Sequence, residues 1–185
     1  MKALSQGRTF KEIIINGDLK HGFSGISETE WRHTLRLIDY LREHCEKLVI
    51  IKGNHDAIAE PIARKRGIAT VDHHRTGSGI LLLHGDILPM KGWLEGIETL
   101  IIGHEHPAIS LRQGSRVESY KCFLKGRWRG KTLIVQPSFT QVTDGVDILR
   151  EKPVGPMLPS DKGEFEVYVV ADSVYAFGKV KAIKA

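Results

Sequence analysis

The chain has 185 residues, enough for one domain with a full hydrophobic core. Hydrophobic residues make up 41% of it, which excludes wholesale disorder. No apolar run approaches the ~20 residues of a membrane span, so no membrane partner is expected. The net charge is +5, and it is local. Seven basic residues (Arg112, Arg116, Lys121, Lys125, Arg127, Arg129 and Lys131) and one acid, Glu118, lie between Ala108 and Gln136. That stretch carries +6 and leaves −1 for the rest.

The start, Met1 to Gly7, lacks the apolar centre of a secretion signal. Cys45 and Cys122 have neither metal-type spacing nor the number for a disulfide scaffold. Two reduced thiols in a cytoplasmic protein are the expectation.

In chain order, Glu12–Asn16 predicts a buried strand of β-branched residues, ending in Gly17-Asp18-Leu19-Lys20-His21. Ser27-Glu28-Thr29-Glu30 reads as a capping box opening a helix. Trp31, Leu35, Ile38, Leu41 and Cys45 follow at helical spacing, with His33 and His44 on the exposed side. Leu48–Lys52 is the next strand and runs into Gly53-Asn54-His55-Asp56. Ala57 to Arg66 predicts a helix interrupted or started late by Pro61 and ended by Gly67. His73-His74 reads as a solvated turn. Gly79–Leu83 and Thr99–Ile102 are apolar strands, followed by His84-Gly85-Asp86 and Gly103-His104-Glu105-His106.

After residue 107 the pattern becomes β-rich. Val117–Leu124 and Thr132–Val135 are expected strands, joined by a connector over Lys125–Gly130. Lys152 to Gly163 holds three prolines and two glycines and predicts a loop or lid. Glu164–Val170 and Ser173–Val180 predict a hairpin around Ala171-Asp172. The expected organisation is a single domain over 1–185, with a motif region at 12–107 and a β-rich half at 108–185.

All four polar blocks fall at the carboxyl ends of strands, where α/β sheets gather their ligands. The residue types suit a pair of divalent metals. Asp18 can bridge two cations, Asn54 offers a carbonyl oxygen, and His84, His104 and His106 offer imidazole nitrogens. Mixed nitrogen and oxygen donors favour Mn, Fe, Zn or Co over Ca or Mg. Two such ions ~3.5–4 Å apart can hold a hydroxide for attack at phosphorus. His55 is then placed to protonate the leaving oxygen, with Asp56 fixing its ring. His21 is a candidate pocket residue.

These blocks resemble the calcineurin-like metallophosphoesterases, whose motifs run D-x-H, G-D, G-N-H-D/E, H and G-H-x-H. The match covers residues 12 to 107. Gly17-Asp18-Leu19-Lys20-His21, Leu81-Leu82-Leu83-His84-Gly85-Asp86, Tyr120–Gly126 and Pro137-Ser138-Phe139 also resemble a branch of small archaeal phosphoesterases related to the SbcD DNA-repair nuclease. The resemblance implies an α/β (α+β) fold, a four-layer αββα sandwich of two mixed sheets flanked by helices. It implies a metal-dependent phosphoesterase that cleaves phosphodiester or phosphomonoester bonds by attack of metal-bound hydroxide. Asp18 would bridge the two ions. Asn54, His84 and His104 would complete the second ion's shell, and His106 would bind the first. Mn is the expected metal, with Fe, Zn, Co or Ni as alternatives. His55 would be the general acid, assisted by Asp56.

The sequence departs from that series in one respect: Met1 to Gly17 contain no Asp and no His, so the D-x-H block is absent. The first strand is expected to be missing, which would leave an open sheet edge and a first metal held by Asp18 and His106 alone. A start upstream of Met1, a second copy in a homodimer or another partner that fills the gap, and a short one-metal variant each account for it. Arg112, Lys121, Lys125, Arg127, Arg129 and Lys131, interleaved with Tyr120, Phe123 and Trp128, are candidate contacts to nucleic acid. The rival readings are a small-molecule phosphatase or pyrophosphatase, and a degraded phosphoesterase that serves as a binding module.

Overall fold

The computed structural model describes residues 7–19, 28–56, 59–140 and 143–183. The fold is mixed α+β, with two sheets and few helices among the described residues. The chain divides into two compact units, Met1–His74 and Arg75–Ala185.

In the first unit, β1 (Phe10–Asn16), β2 (Cys45–Ile51) and β3 (Thr70–Val71) form a parallel sheet in the order β1–β2–β3. Helices α1 (Glu28–Arg42) and α2 (Ala59–Lys65) complete the unit. Ile38 on α1 has no exposed surface, and it shares a small core with Ile50, Ala63 and Ile68. Trp31 and Leu35 from the same helical stripe are packed against it. The Arg66 guanidinium makes two bonds to the Asp39 carboxylate, at 2.7 and 3.0 Å, and ties α1 to the end of α2. The same guanidinium holds the Asp39 carboxyl below its ordinary range. Pro61 sits in the first turn of α2, where no intrahelical N–H is needed. Gly67 ends the helix at φ +66, and the Ile68 N–H reaches back to the Ala63 carbonyl at 3.0 Å.

Two expectations for this unit are corrected. Cys45 continues the helical spacing in sequence but opens β2, opposite Phe10. The chain reverses at Glu43-His44, and the His44 ring Nδ1 lies 2.8 Å from the Tyr40 carbonyl, past the helix end. His73 and His74 are not in a turn; they belong to β4 (His73–Arg75). The His74 ring is 3.0 Å from Glu12, whose other oxygen is 2.7 Å from Lys47. That Lys47 bond, with His74 contributing, holds the Glu12 carboxyl below its ordinary range. Ser27, the N-cap of the expected capping box, lies outside the described residues, as do Ala57 and Ile58.

The second unit contains β5 (Ile80–Leu83), β6 (Thr99–Ile102), β7 (Pro107–Gln113), β8 (Arg116–Trp128), β9 (Lys131–Val135), β10 (Val146–Asp147), β11 (Glu166–Val170) and β12 (Val174–Lys179). Its sheet runs β10–β7–β8–β9–β6–β5, with β11 paired to β8 and β12 to β11. The strands β5, β6 and β9 are mutually parallel, whereas β7, β8 and β9 form an antiparallel meander. The length of β8 lets it serve two sets of partners: residues 116–121 pair with β7, and residues 122–128 pair with β9 and β11. Its side chains alternate as a half-buried strand requires. Cys122, Leu124 and Trp128 are buried, while Lys125 and Arg127 are exposed. Gly126 falls on the inner face. A Cβ there would lie 2.5 Å from the Phe165 ring, so only glycine admits that ring against the strand.

The expected connector over 125–130 is strand up to Trp128. The turn is two residues, Arg129 at φ 46 and Gly130 at φ 80, the paired positive angles of a tight hairpin. The strands β5 and β6, which precede residue 107, belong to the sheet of β9. Lys152–Gly163 contains no strand or helix, as expected, but Met157 and Leu158 are buried in the core, so this segment is a fixed strap.

The Cys122 thiol has no exposed surface, and burial pushes it up to about 12. Cys45 is half-buried and shifted up by burial. Native protein treated with a water-soluble thiol reagent is therefore expected to modify Cys45 first, and Cys122 only after unfolding. Mass mapping after brief labelling reads this directly; equal labelling would contradict the packing.

Candidate functional site

The first unit brings together the blocks at the carboxyl ends of β1 and β2. Asn16 lies opposite Ile51 in parallel register, so Gly17-Asp18 and Gly53-Asn54 emerge side by side. The Asp18 backbone is left-handed, at φ 52, a region that Asp tolerates better than most residues. Its Oδ1 accepts the His55 N–H at 3.1 Å. A Cβ on Gly53 would sit 2.2 Å from that oxygen and 2.4 Å from the Asp18 backbone nitrogen. Glycine at 53 is thus what lets the two loops meet. Asp56 is 4% exposed, and its Oδ2 accepts the Gly53 N–H at 3.0 Å, closing the Gly53–Asp56 turn on itself. Asn54 is exposed and His55 half-buried.

The second unit brings together the blocks after β5 and β6. Leu82 and Ile101 are parallel partners, so His84 and His104 leave neighbouring strands at the same end. The His84 carbonyl accepts the N–H groups of both Gly103 (2.8 Å) and His104 (3.0 Å). The His84 side chain is buried, and its Nε2 lies 3.2 Å from His104 Nδ1, the rings meeting edge to face at 73°. His106 is left-handed, at φ 44, and its carbonyl accepts the Val146 N–H at 2.8 Å.

This donor set fits a divalent transition metal. Two converging imidazole nitrogens at 3.2 Å have the spacing of neighbouring ligands on one ion, given metal–nitrogen bonds of ~2.0–2.1 Å. In the first unit, Asp18 offers a carboxylate oxygen and Asn54 an amide oxygen, donors of the kind that mixed N/O sites use.

The expected nucleic-acid contacts are less uniform. Lys121 is half-buried, and its ammonium donates to the Ser138 carbonyl (3.0 Å), the Ser138 hydroxyl (2.8 Å) and the Thr140 carbonyl. Burial shifts that ammonium downward. Lys131 donates to the Ile97 carbonyl at 2.6 Å, and Arg127 to the Gly130 carbonyl at 2.5 Å. Lys125 faces Glu166 at 3.8 Å. Arg129 stacks over Trp128 at 4.6 Å from its centroid. Arg112 is exposed. Of the interleaved aromatics, Trp128 is core, while Tyr120 and Phe123 are half-buried. His21 lies outside the described residues.

One residue of this site is missed by sequence reasoning. Glu105, the variable position of Gly-His-x-His, is 2% exposed. Its two oxygens accept the Val154 and Gly155 N–H groups, both at 2.8 Å. The available signal was a Glu enclosed by two histidines, together with a Pro-Val-Gly-Pro segment downstream. Among the described residues, no helix is long and apolar enough to cross a membrane.

Comparison with solved structures bears on the fold alone. A nuclease MPE from Pseudomonas putida is 20% identical, with a TM-score of 0.61 over 90% of this chain and 71% of that one. A Vps29 single mutant from Entamoeba histolytica is 18% identical, at a TM-score of 0.40 over 95% and 84%. Vacuolar Protein Sorting 29 from Cryptosporidium parvum is 19% identical, at 0.36 over 91% and 97%. No protein with a curated description matches the chain. The sequence profile of the calcineurin-like phosphoesterases matches residues 1–135, and the chain belongs to that family.

Proposed function

We propose that the protein is a metal-dependent phosphoesterase acting on phosphodiester bonds, with nucleic acid as its substrate class. The observation that carries this reading is the convergence of His84 and His104 at adjacent strand ends in a chain of a metal-binding phosphoesterase family. His84, His104 and His106 of the second unit are the proposed nitrogen ligands, and Asp18 and Asn54 of the first unit are the proposed oxygen ligands. Divalent ions held there would lower the pKa of bound water to ~7 and offset phosphoryl charge. Asp18 accepts the His55 backbone N–H, which holds the His55 backbone beside Asp18. The ring donates a proton to the departing oxygen. Asp56 acts through the turn, by holding Gly53. Exposed Arg112, Lys125, Arg127 and Arg129 supply cations for a phosphate backbone.

The test combines metal stoichiometry with hydrolysis of bis(p-nitrophenyl) phosphate and single-stranded DNA in Mn. His55→Ala is expected to keep the metal and lose ~10²–10⁴-fold in turnover. His84→Ala and His104→Ala are expected to lose both. A metal-loaded chain without hydrolysis would establish a binding module instead. Hydrolysis that is salt-insensitive and confined to small esters would establish a small-molecule phosphatase.

A further inference from the structure

We infer that Glu105 is a positioning residue: it buckles the 152–158 strap against the His104 ring and so sets the direction in which that imidazole presents its nitrogen. The inference rests on the proposed role of His104 as a metal ligand. Glu105 is nearly inaccessible, and a buried carboxylate is costly unless its oxygens are satisfied. Here each oxygen takes one backbone N–H, from Val154 and Gly155, at 2.8 Å. The strap is pinned further along by buried Met157 and Leu158, and Lys162 donates to the Glu151 carbonyl at 3.0 Å. Gly155 is therefore held at both sides. A Cβ at this position would meet His104 Cδ2 at 2.8 Å, Glu105 Oε1 at 3.0 Å and the Gly85 carbonyl at 3.0 Å. The bare Gly155 backbone thus forms a wall along the ring edge. The opposite constraint comes from His84, whose Nε2 faces His104 Nδ1. The wall and the neighbour restrict the His104 ring from two sides. Partners that orient a ligating imidazole commonly contribute 10–100-fold to metal affinity.

Three variants test this. Glu105→Ala removes both acceptors; Glu105→Gln keeps the volume but leaves one amide N–H group facing its NH₂; Gly155→Ala leaves Glu105 intact and pushes on the ring. Circular dichroism confirms folding of each. Hydrogen exchange at Val154 and Gly155, read in metal-free protein, is expected to accelerate at least ~10-fold in Glu105→Ala and less in Glu105→Gln. Cobalt(II) affinity, measured by competition, is expected to fall ~10–100-fold in Glu105→Ala and Gly155→Ala, with a changed visible absorption band. Wild-type cobalt affinity and band in both variants would overturn the inference. A wild-type chain that takes up no cobalt would overturn the metal reading instead. The strap is then judged by exchange alone, and unchanged exchange in Glu105→Ala overturns it.

Discussion

Gly53→Ala is expected to lower metal affinity by at least ~10-fold and to destabilise the apo chain by ~1–3 kcal/mol. The added methyl would lie 2.2 Å from Asp18 Oδ1 and 2.4 Å from the Asp18 backbone nitrogen. A carboxylate can swing away from such a clash, but a backbone nitrogen cannot. The loop has little slack, because Asp18 already occupies a left-handed conformation. Relief requires the two strand ends to part, and parting them breaks the 3.1 Å bond from His55 to Asp18. One methyl therefore displaces a proposed ligand and the proposed acid together. Gly77→Ala is the matched control, since nothing lies within 4 Å of its Cβ position. Metal competition and thermal melts of the two variants decide the point. Equal behaviour would show that the strand ends do not meet as described.

Leu100→Ala is expected to cost ~2–5 kcal/mol, a large share of the ~5–15 kcal/mol that holds a domain together. Leu100 has no exposed surface and sits on β6, between Leu81 of β5 and Leu133 of β9, both also fully buried. Parallel strands on both sides leave no flexible neighbour to fill the void. Urea unfolding should show a lower midpoint with an unchanged slope. Val174→Ala, at a residue 57% exposed, should stay within ~0.5 kcal/mol of wild type. A Leu100→Ala cost below ~1 kcal/mol would mean that the sheet centre is not packed as described.

The sequence shows the parallel strands plainly, because unbroken runs such as Ile13-Ile14-Ile15 and Leu81-Leu82-Leu83 have few alternatives to burial. It shows the polar blocks of the candidate site too, since each closes such a run. What it hides follows from ambiguity in local signals. Cys45 satisfies a helical period and a strand start equally well, and only pairing with Phe10 decides between them. Glycines in Lys125–Gly130 suggest a long connector, yet Gly126 is a strand residue that makes room for Phe165, a side chain thirty-nine positions away. His73-His74 reads as polar surface until Glu12 is placed beside it. Glu105 is the extreme case, because its partners are backbone groups of a distant strap and carry no side-chain signature. The basic stretch is legible as charge but not as charge already engaged: Lys121 and Lys131 bind carbonyls of their own chain.

The meander of β7, β8 and β9 closes through the two turns at Gly114-Ser115 and Arg129-Gly130, so its pairings join residues near one another in the chain. The parallel pairing of β6 with β9 has no such advantage, since Thr99 must find Thr132 across the whole meander. Loop-closure entropy favours the hairpins first, on the microsecond scale of isolated hairpins. On a chain made from its amino end, β9 is synthesised after β5 and β6, so β6 gains its second parallel neighbour only once the meander has been made. The two imidazoles sit at the ends of β5 and β6, whose pairing of Ile80 with Thr99 closes a shorter loop than the pairing of Thr99 with Thr132 that joins β6 to β9.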